Sequence, residues 1–131
     1  MLDVAYLDSS AIVRTVVEEP ESGALRAFLQ GFETHASSEL ARAEVIRAVR
    51  RADPDALPRA YEALDRLVLV AVSSRLLDEA GLLDPAELRT LDAVHLAAAR
   101  TLARQLGALV TYDSRMHEAA AKLALPVEAP A

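Results

Sequence analysis

Cysteine is absent from the 131-residue sequence, which excludes a disulfide framework and any thiolate metal site. Tryptophan is absent too, and aromatics make up only 4%, so a core has to be built from Leu, Val, Ile and Ala. No apolar stretch reaches membrane-spanning length. The first residues lack the basic start and cleavage pattern of a secretory signal. A cytoplasmic protein without membrane association is therefore expected. Lysine is reduced to Lys122, against thirteen arginines. The basic surplus of a protein that coats nucleic acid is missing, because the formal net charge is −6. That deficit leaves room for an enzyme whose site charge is supplied by divalent cations. Apolar residues, at 53%, suffice for a core, and the length fits a single domain over residues 1–131.

Short apolar runs alternate with helical patterns. Val4–Leu7 reads as a buried strand ending at Asp8, with Ser9 and Ser10 capping a helix to about Val17. Pro20 opens a second helix that Gly31 stops. Thr34–Ala36 reads as a very short strand. Ser37 or Ser38 is expected to cap a helix to about Arg51, with Leu40, Ala43 and Ala48 on its apolar face and Ile46 and Val49 alongside. A helix follows Asp53-Pro54. The run Leu67–Val72 predicts a strand covered on both faces. Ser73 or Ser74 caps a helix ending near Gly81. A long helix is expected from Thr90 to Leu106, a strand over Ala108–Thr111, a helix from Ser114 to Leu123 and an edge strand at Pro126–Glu128. This alternation predicts an α/β sandwich with a mostly parallel central sheet.

Four acids stand in unusual settings: Asp8 at a strand end, Glu44 inside a helix, Asp92 in a first helical turn and Asp113 just past another strand. Parallel α/β folds bind ligands beyond the carboxyl ends of their strands. If the strands before Asp8 and Asp113 are neighbours, both acids project from one edge. Each acid also has an ordinary reading. Asp8 can be an N-cap, Asp92 can favour a helix start, Glu44 can pair with Arg42 or Arg47, and Asp113 can be a turn residue. Taken together, the four are an all-oxygen donor set suited to Mg²⁺ or Mn²⁺. Ser10 is placed to orient Asp8, and Thr111 to do the same near Asp113. His95, three residues after Asp92, is either a partner of the site or a satisfied helix histidine; His35, His95 and His117 lack zinc-ligand spacing. Arg14 lies within reach of a phosphate near Asp8. Arg42, Arg47, Arg50 and Arg51 crowd the Glu44 helix, as an RNA path or as a solvated face.

The series Tyr6-Leu7-Asp8-Ser9-Ser10-Ala11-Ile12, the Ser38-to-Glu44 segment, Leu91-Asp92-Ala93-Val94-His95-Leu96-Ala97 and Val110-Thr111-Tyr112-Asp113 resembles a PIN domain. More narrowly, it resembles the VapC toxins of type II toxin–antitoxin pairs, over nearly the whole chain. The resemblance implies a three-layer α/β/α sandwich and a metal-dependent endoribonuclease. It implies that Asp8, Glu44, Asp92 and Asp113 together hold Mg²⁺ or Mn²⁺, with Asp8 and Asp92 as the principal ligands. The partners it implies are an RNA substrate, a VapB-type antitoxin and a second copy of the chain. Surplus apolar residues in the early helices (Ile12, Val13, Val16, Val17, Leu25 and Phe28) are expected to serve the antitoxin or the second copy. A phosphoaspartate receiver would need a lysine after a late strand, whereas Lys122 falls in a helix. A non-catalytic module with the same fold is the remaining alternative.

Overall fold

The computed structural model describes residues 3–131, so Met1 and Leu2 of the expected domain lie outside it. The described residues form a five-stranded, all-parallel sheet between two layers of helices. In chain order come β1 (Val4–Leu7), α1 (Ser9–Val16), α2 (Ser22–Leu29), β2 (Thr34–Ser38) and α3 (Ala41–Ala52). After a 3₁₀ turn at Pro54–Ala56 follow α4 (Leu57–Asp65), β3 (Val68–Val70), α5 (Ser74–Gly81) and α6 (Thr90–Arg100). A second 3₁₀ turn at Ala103–Gln105 leads to β4 (Leu106–Val110), α7 (Ser114–Lys122) and β5 (Val127–Glu128).

The strand order is β3-β2-β1-β4-β5. From β1 the chain builds outward one way to β2 and β3, and from β4 the other way to β5. The order therefore reverses between β1 and β4, where a doubly wound sheet leaves a crevice beyond its strand ends. The register sets Leu7 beside Val110, and the Asp8 amide still donates to the Val110 carbonyl at 3.1 Å. Asp8 and Thr111 are thus held side by side as the two central strands end.

Alternation along the central strands sorts the core into two layers. Val4, Tyr6, Leu106 and Leu109 point toward α5, α6 and α7, where Leu76, Leu96 and Met116 wait. Ala5, Leu7, Ala108 and Val110 point the other way, onto Ile12, Leu25, Val45 and Leu64. Burial on both faces explains why these strands read as unbroken apolar runs.

Several expectations need correction. β3 is an edge strand, not a covered one, and Val68 is 56% exposed. Ser37 and Ser38 belong to β2; the buried face of α3 is Ala41, Val45 and Val49, one step round from the expected face, so Glu44 stands at its rim. The long helix stops at Arg100, and Leu106 already begins β4. Asp113, not Ser114, is the N-cap of α7. Of the early apolar residues, Ile12, Val16 and Leu25 are core, while Val13, Val17 and Phe28 pack against it. Much of that surplus is thus used within the layer of α1–α4, while Ile12 and Val16 also line an open hollow of about 450 Å³ between α1, α2 and α4.

Leu109→Ala, at a fully buried site between layers, is expected to cost about 2–5 kcal/mol. Leu82→Ala, at a side chain 86% exposed, should stay within about 0.5 kcal/mol. Urea unfolding midpoints check both.

Candidate active site

At the end of β1 a carboxylate is buried without a cation in contact. Asp8 is 4% exposed, and three donors hold it. Ser10 Oγ (2.6 Å) and the Ala11 amide (3.0 Å) meet Oδ1, while Thr111 Oγ1 (2.6 Å) meets Oδ2. Asp8 is therefore both the N-cap of α1 and a member of the site; one oxygen caps while the other faces β4. Burial raises its pKa, and the hydrogen bonds from Ser10, Thr111 and Ala11 offset part of that rise. Ser10 does what its position suggested. Thr111 serves Asp8 by donation, and its oxygen accepts from the Asp113 amide at 3.1 Å.

Glu44 reaches in from α3. Its Oε1 accepts from Ser9 Oγ at 2.5 Å and lies 2.7 Å from His95 Nε2. His95 is buried in α6, with Nδ1 2.7 Å from the Tyr6 hydroxyl. A carboxylate only accepts, so Nε2 carries the proton toward Glu44, while Nδ1 shares a hydrogen bond with the Tyr6 hydroxyl. Burial pushes the Glu44 pKa up, but the bonds from His95 and Ser9 outweigh it and the net shift is downward. Tyr6, raised well above the usual phenol range mainly by burial, stays protonated. A polar thread thus crosses the apolar layer from Tyr6 through His95 to Glu44. His95 is a satisfied helix histidine, and one of the groups that satisfy it is the Glu44 carboxylate.

Asp92 and Asp113 converge on one guanidinium. Arg89 Nε donates to Asp92 Oδ2 at 2.9 Å, and its Nη2 donates to Asp113 Oδ2 at 2.8 Å. Hydrogen bonding to Asp92, first of all, raises the Arg89 pKa further. The other Asp113 oxygen caps α7 through the Met116 amide at 2.9 Å. Arg89 sits just before α6 in extended backbone, and its side chain is 58% exposed. Among the described residues, no three acidic or imidazole side chains stand close enough together to form a ready-made metal cage. Instead the acids are parcelled out: Asp8 to hydroxyls, Glu44 to Ser9 and His95, Asp92 and Asp113 to Arg89. Arg14, expected near a phosphate, is engaged otherwise. It pairs with Glu21 at 2.6 Å, donates to the Ser10 carbonyl and lies over the Tyr112 ring at 4.4 Å.

Tyr6, Ser9 and Arg89 were not singled out from the sequence as site residues. Tyr6 reads as a core aromatic and Ser9 as a helix cap. Arg89 left one signal, its position three residues ahead of Asp92 at a helix entry.

Comparison with known proteins bears on the whole chain. The PIN domain family model matches residues 5–122. Ribonuclease VapC46 of Mycobacterium tuberculosis is 53% identical over 125 residues, covering 95% of this chain and 96% of that protein. Ribonuclease VapC47 of the same species is 41% identical over 117 residues, or 85% of each. A toxin–antitoxin complex from Klebsiella pneumoniae superposes with a TM-score of 0.72 at 19% identity, covering 97% of this chain and 98% of that one. VapBC2 of Rickettsia felis, bound to a DNA fragment from its promoter, superposes with a TM-score of 0.70 at 17% identity, covering 98% and 99%. At those identities the two structures establish the fold.

The opposite shifts of Asp8 and Glu44 give opposite pH signatures. The raised Asp8 pKa means that stability falls as pH rises from its unfolded value through its folded one. The lowered Glu44 pKa gives a contribution that is present at neutral pH and lost as pH falls through the folded value. In metal-free buffer at pH 7, Asp8→Asn should raise Tm by about 3 °C or more, and Glu44→Gln should lower it by a similar amount. Calorimetry checks the signs, and both differences should shrink toward acid pH.

Proposed function

Because the chain belongs to the PIN-domain family, we propose that it acts as a VapC-type toxin, an endoribonuclease that hydrolyses RNA phosphodiesters with Mg²⁺ or Mn²⁺. The identity to two mycobacterial ribonucleases over nearly full length supports the activity. The observation that carries the reading is the seat of Arg89, where two carboxylates, Asp92 and Asp113, share one cation. The donors are oxygens only, which suits a hard divalent ion. On this reading Asp8, Glu44, Asp92 and Asp113 hold the ion, with Asp8 and Asp92 as principal ligands. When bound, such an ion lowers the pKa of water and offsets the charge that develops on a phosphoryl group.

The chain's own residues do the positioning. Ser10 and Thr111 fix the Asp8 carboxylate, so little rotamer freedom is lost when it engages a ligand. His95 and Ser9 aim Glu44. Arg89 keeps Asp92 and Asp113 compensated, and its exposure lets it swing out when a divalent ion takes its place. Once released, its guanidinium is free to meet a phosphate. Ser10, Thr111 and Arg14 complete the supporting set, Arg14 as a fixed wall beside Ser10.

The partners belong to the same reading. A VapB-type antitoxin is the expected inhibitor, since the Klebsiella and Rickettsia structures of this fold contain toxin–antitoxin pairs. The net charge of −6 suits a basic inhibitory segment. A homodimer is proposed as the working unit, with exposed Leu77 and Leu82 offering apolar surface outside the core. Among the described residues no helix is long and apolar enough to cross a membrane; the cytoplasm, where RNA is at hand, is the proposed location.

Incubation with unstructured RNA should give cleavage with Mg²⁺ or Mn²⁺, none with chelator, and at least about a hundredfold loss in Asp8→Asn. RNA binding without cleavage under every metal condition would favour the non-catalytic module. Independently, Arg89→Gln should tighten Mn²⁺ binding to the metal-free protein by up to about tenfold in titration calorimetry, because the resident cation is gone. Unchanged or weaker binding would show that Arg89 is not a competitor for the ion.

A further inference from the structure

The face of α3 beyond Glu44 carries a feature that the proposed chemistry does not use. Arg47 and Arg51 follow Glu44 at three and seven residues, so they share its side of the helix. With Ser9, Ser10 and Arg14 they line an open groove of about 460 Å³ that begins at Glu44 and runs along α3 toward its C-terminus. Arg47, Arg50 and Arg51 line a second, adjoining hollow of about 230 Å³. All three guanidinium side chains are exposed, and none takes part in an ion pair among the described residues. Arg14, Arg26, Arg42, Arg75 and Arg89 are each paired with an acid, and Arg59, Arg66, Arg100, Arg104 and Arg115 likewise make no ion pair among the described residues, so what distinguishes the three is that they cluster on one helix beside Glu44.

Three positive charges gathered on one exposed stretch make a local basic patch in a chain of net charge −6. Favourable placement at a helix C-terminus accounts for Arg50 and Arg51, in the last turn, but not for Arg47 in the middle of α3. Self-repulsion is relieved by a polyanion. Arg47 and Arg51 are one helical turn apart, about 6 Å along the axis. That spacing suits neighbouring phosphates of an extended single strand, and guanidinium suits phosphate in a bidentate geometry.

We propose that the groove along α3 is the track of the RNA strand, with Arg47 and Arg51 gripping successive phosphates on one side of the scissile bond. The inference rests on the nuclease reading and deepens it by naming how the substrate is held. No aromatic side chain lines the groove, so the grip lacks base stacking and depends on phosphate charge. Binding there is therefore steeply salt-dependent and indifferent to base identity, and sequence choice is made elsewhere. Arg14 is held off the strand by Glu21 and Tyr112 and shapes the groove wall.

The test uses the full chain and a labelled, unstructured 12-nucleotide RNA. Binding is measured in an Asp8→Asn background, which prevents cleavage, over a series of salt concentrations. Each of Arg47→Gln and Arg51→Gln should reduce the slope of log affinity against log salt by about 0.7, and the pair by about 1.4. Affinity should fall by a similar factor for every RNA sequence, and Arg47→Lys should retain the slope. With Asp8 intact, the double Gln variant should lose about tenfold or more in kcat/KM on the 12-mer while cleaving a dinucleotide, too short to span both arginines, at the wild-type rate. Unchanged slope and affinity in a double variant with a wild-type circular dichroism spectrum would overturn the proposal. So would an equal loss on the dinucleotide, which would put the arginines in the chemistry itself. Absence of metal-dependent cleavage by the wild-type chain would sink the nuclease reading instead, and the binding slopes would still decide whether α3 carries RNA.

Discussion

The pairing of β1 with β4 is the constraint on which the rest of the molecule turns. It sets Leu7 against Val110, so the next residues on the two strands, Asp8 and Thr111, meet where the sheet runs out. A carboxylate taken out of water needs partners. Here the neighbouring strand supplies one hydroxyl, and the turn into α1 supplies another hydroxyl and an amide. A register slip of one residue would reverse the facing of every β4 side chain and strand Asp8 without Thr111. Fold and site are therefore specified by the same hydrogen-bond ladder.

Around that point, the remaining acids are compensated by three different means. Glu44 leans on an imidazole anchored by a buried phenol, Asp92 shares a mobile guanidinium with Asp113, and Asp113 also spends one oxygen on a helix terminus. This division of partners explains how so much negative charge is gathered at one sheet edge without unfolding it. The most buried carboxylate, Asp8, has fixed neutral donors, Glu44 has an imidazole and a hydroxyl, and Asp92 and Asp113 have an exposed guanidinium.

Much of this was legible in the sequence, and the reasons are specific. β1, α1, α5 and α7 are bounded by apolar runs and polar residues whose signals are local, so their placement followed from a few residues each, although the caps of α1 and α7 are Asp8 and Asp113 and not the serines that follow them. The projection of Asp8 and Asp113 from one edge was conditional on their strands being neighbours, and the structure pairs those strands. Errors arose where tertiary context decides. Leu67–Val72 is as apolar as a central strand, but its place at the sheet edge is fixed by the order of the other strands. The α3 face was misjudged because Ala43 and Ala48 pass equally well for core or surface; burial selects Ala41, Val45 and Val49. Thr111 was assigned to the nearer acid in sequence and serves the one 103 residues away. Arg89 escaped notice because its importance lies in two partners, one of them 24 residues downstream.

Helix α6 is enclosed on every side: Ala93 through Ala99 are buried without a break, and four of those seven residues are alanine. Methyl-sized side chains let the helix nest between the sheet and α5, and any added methylene there meets atoms already in contact, at about 1–3 kcal/mol each. The stretch bearing Asp92 and His95 is thereby locked by volume as well as by chemistry. Its evolutionary latitude is narrow even at positions that touch no ligand, and a lineage that gave up its catalysis would still be obliged to keep this segment small, apolar and in register.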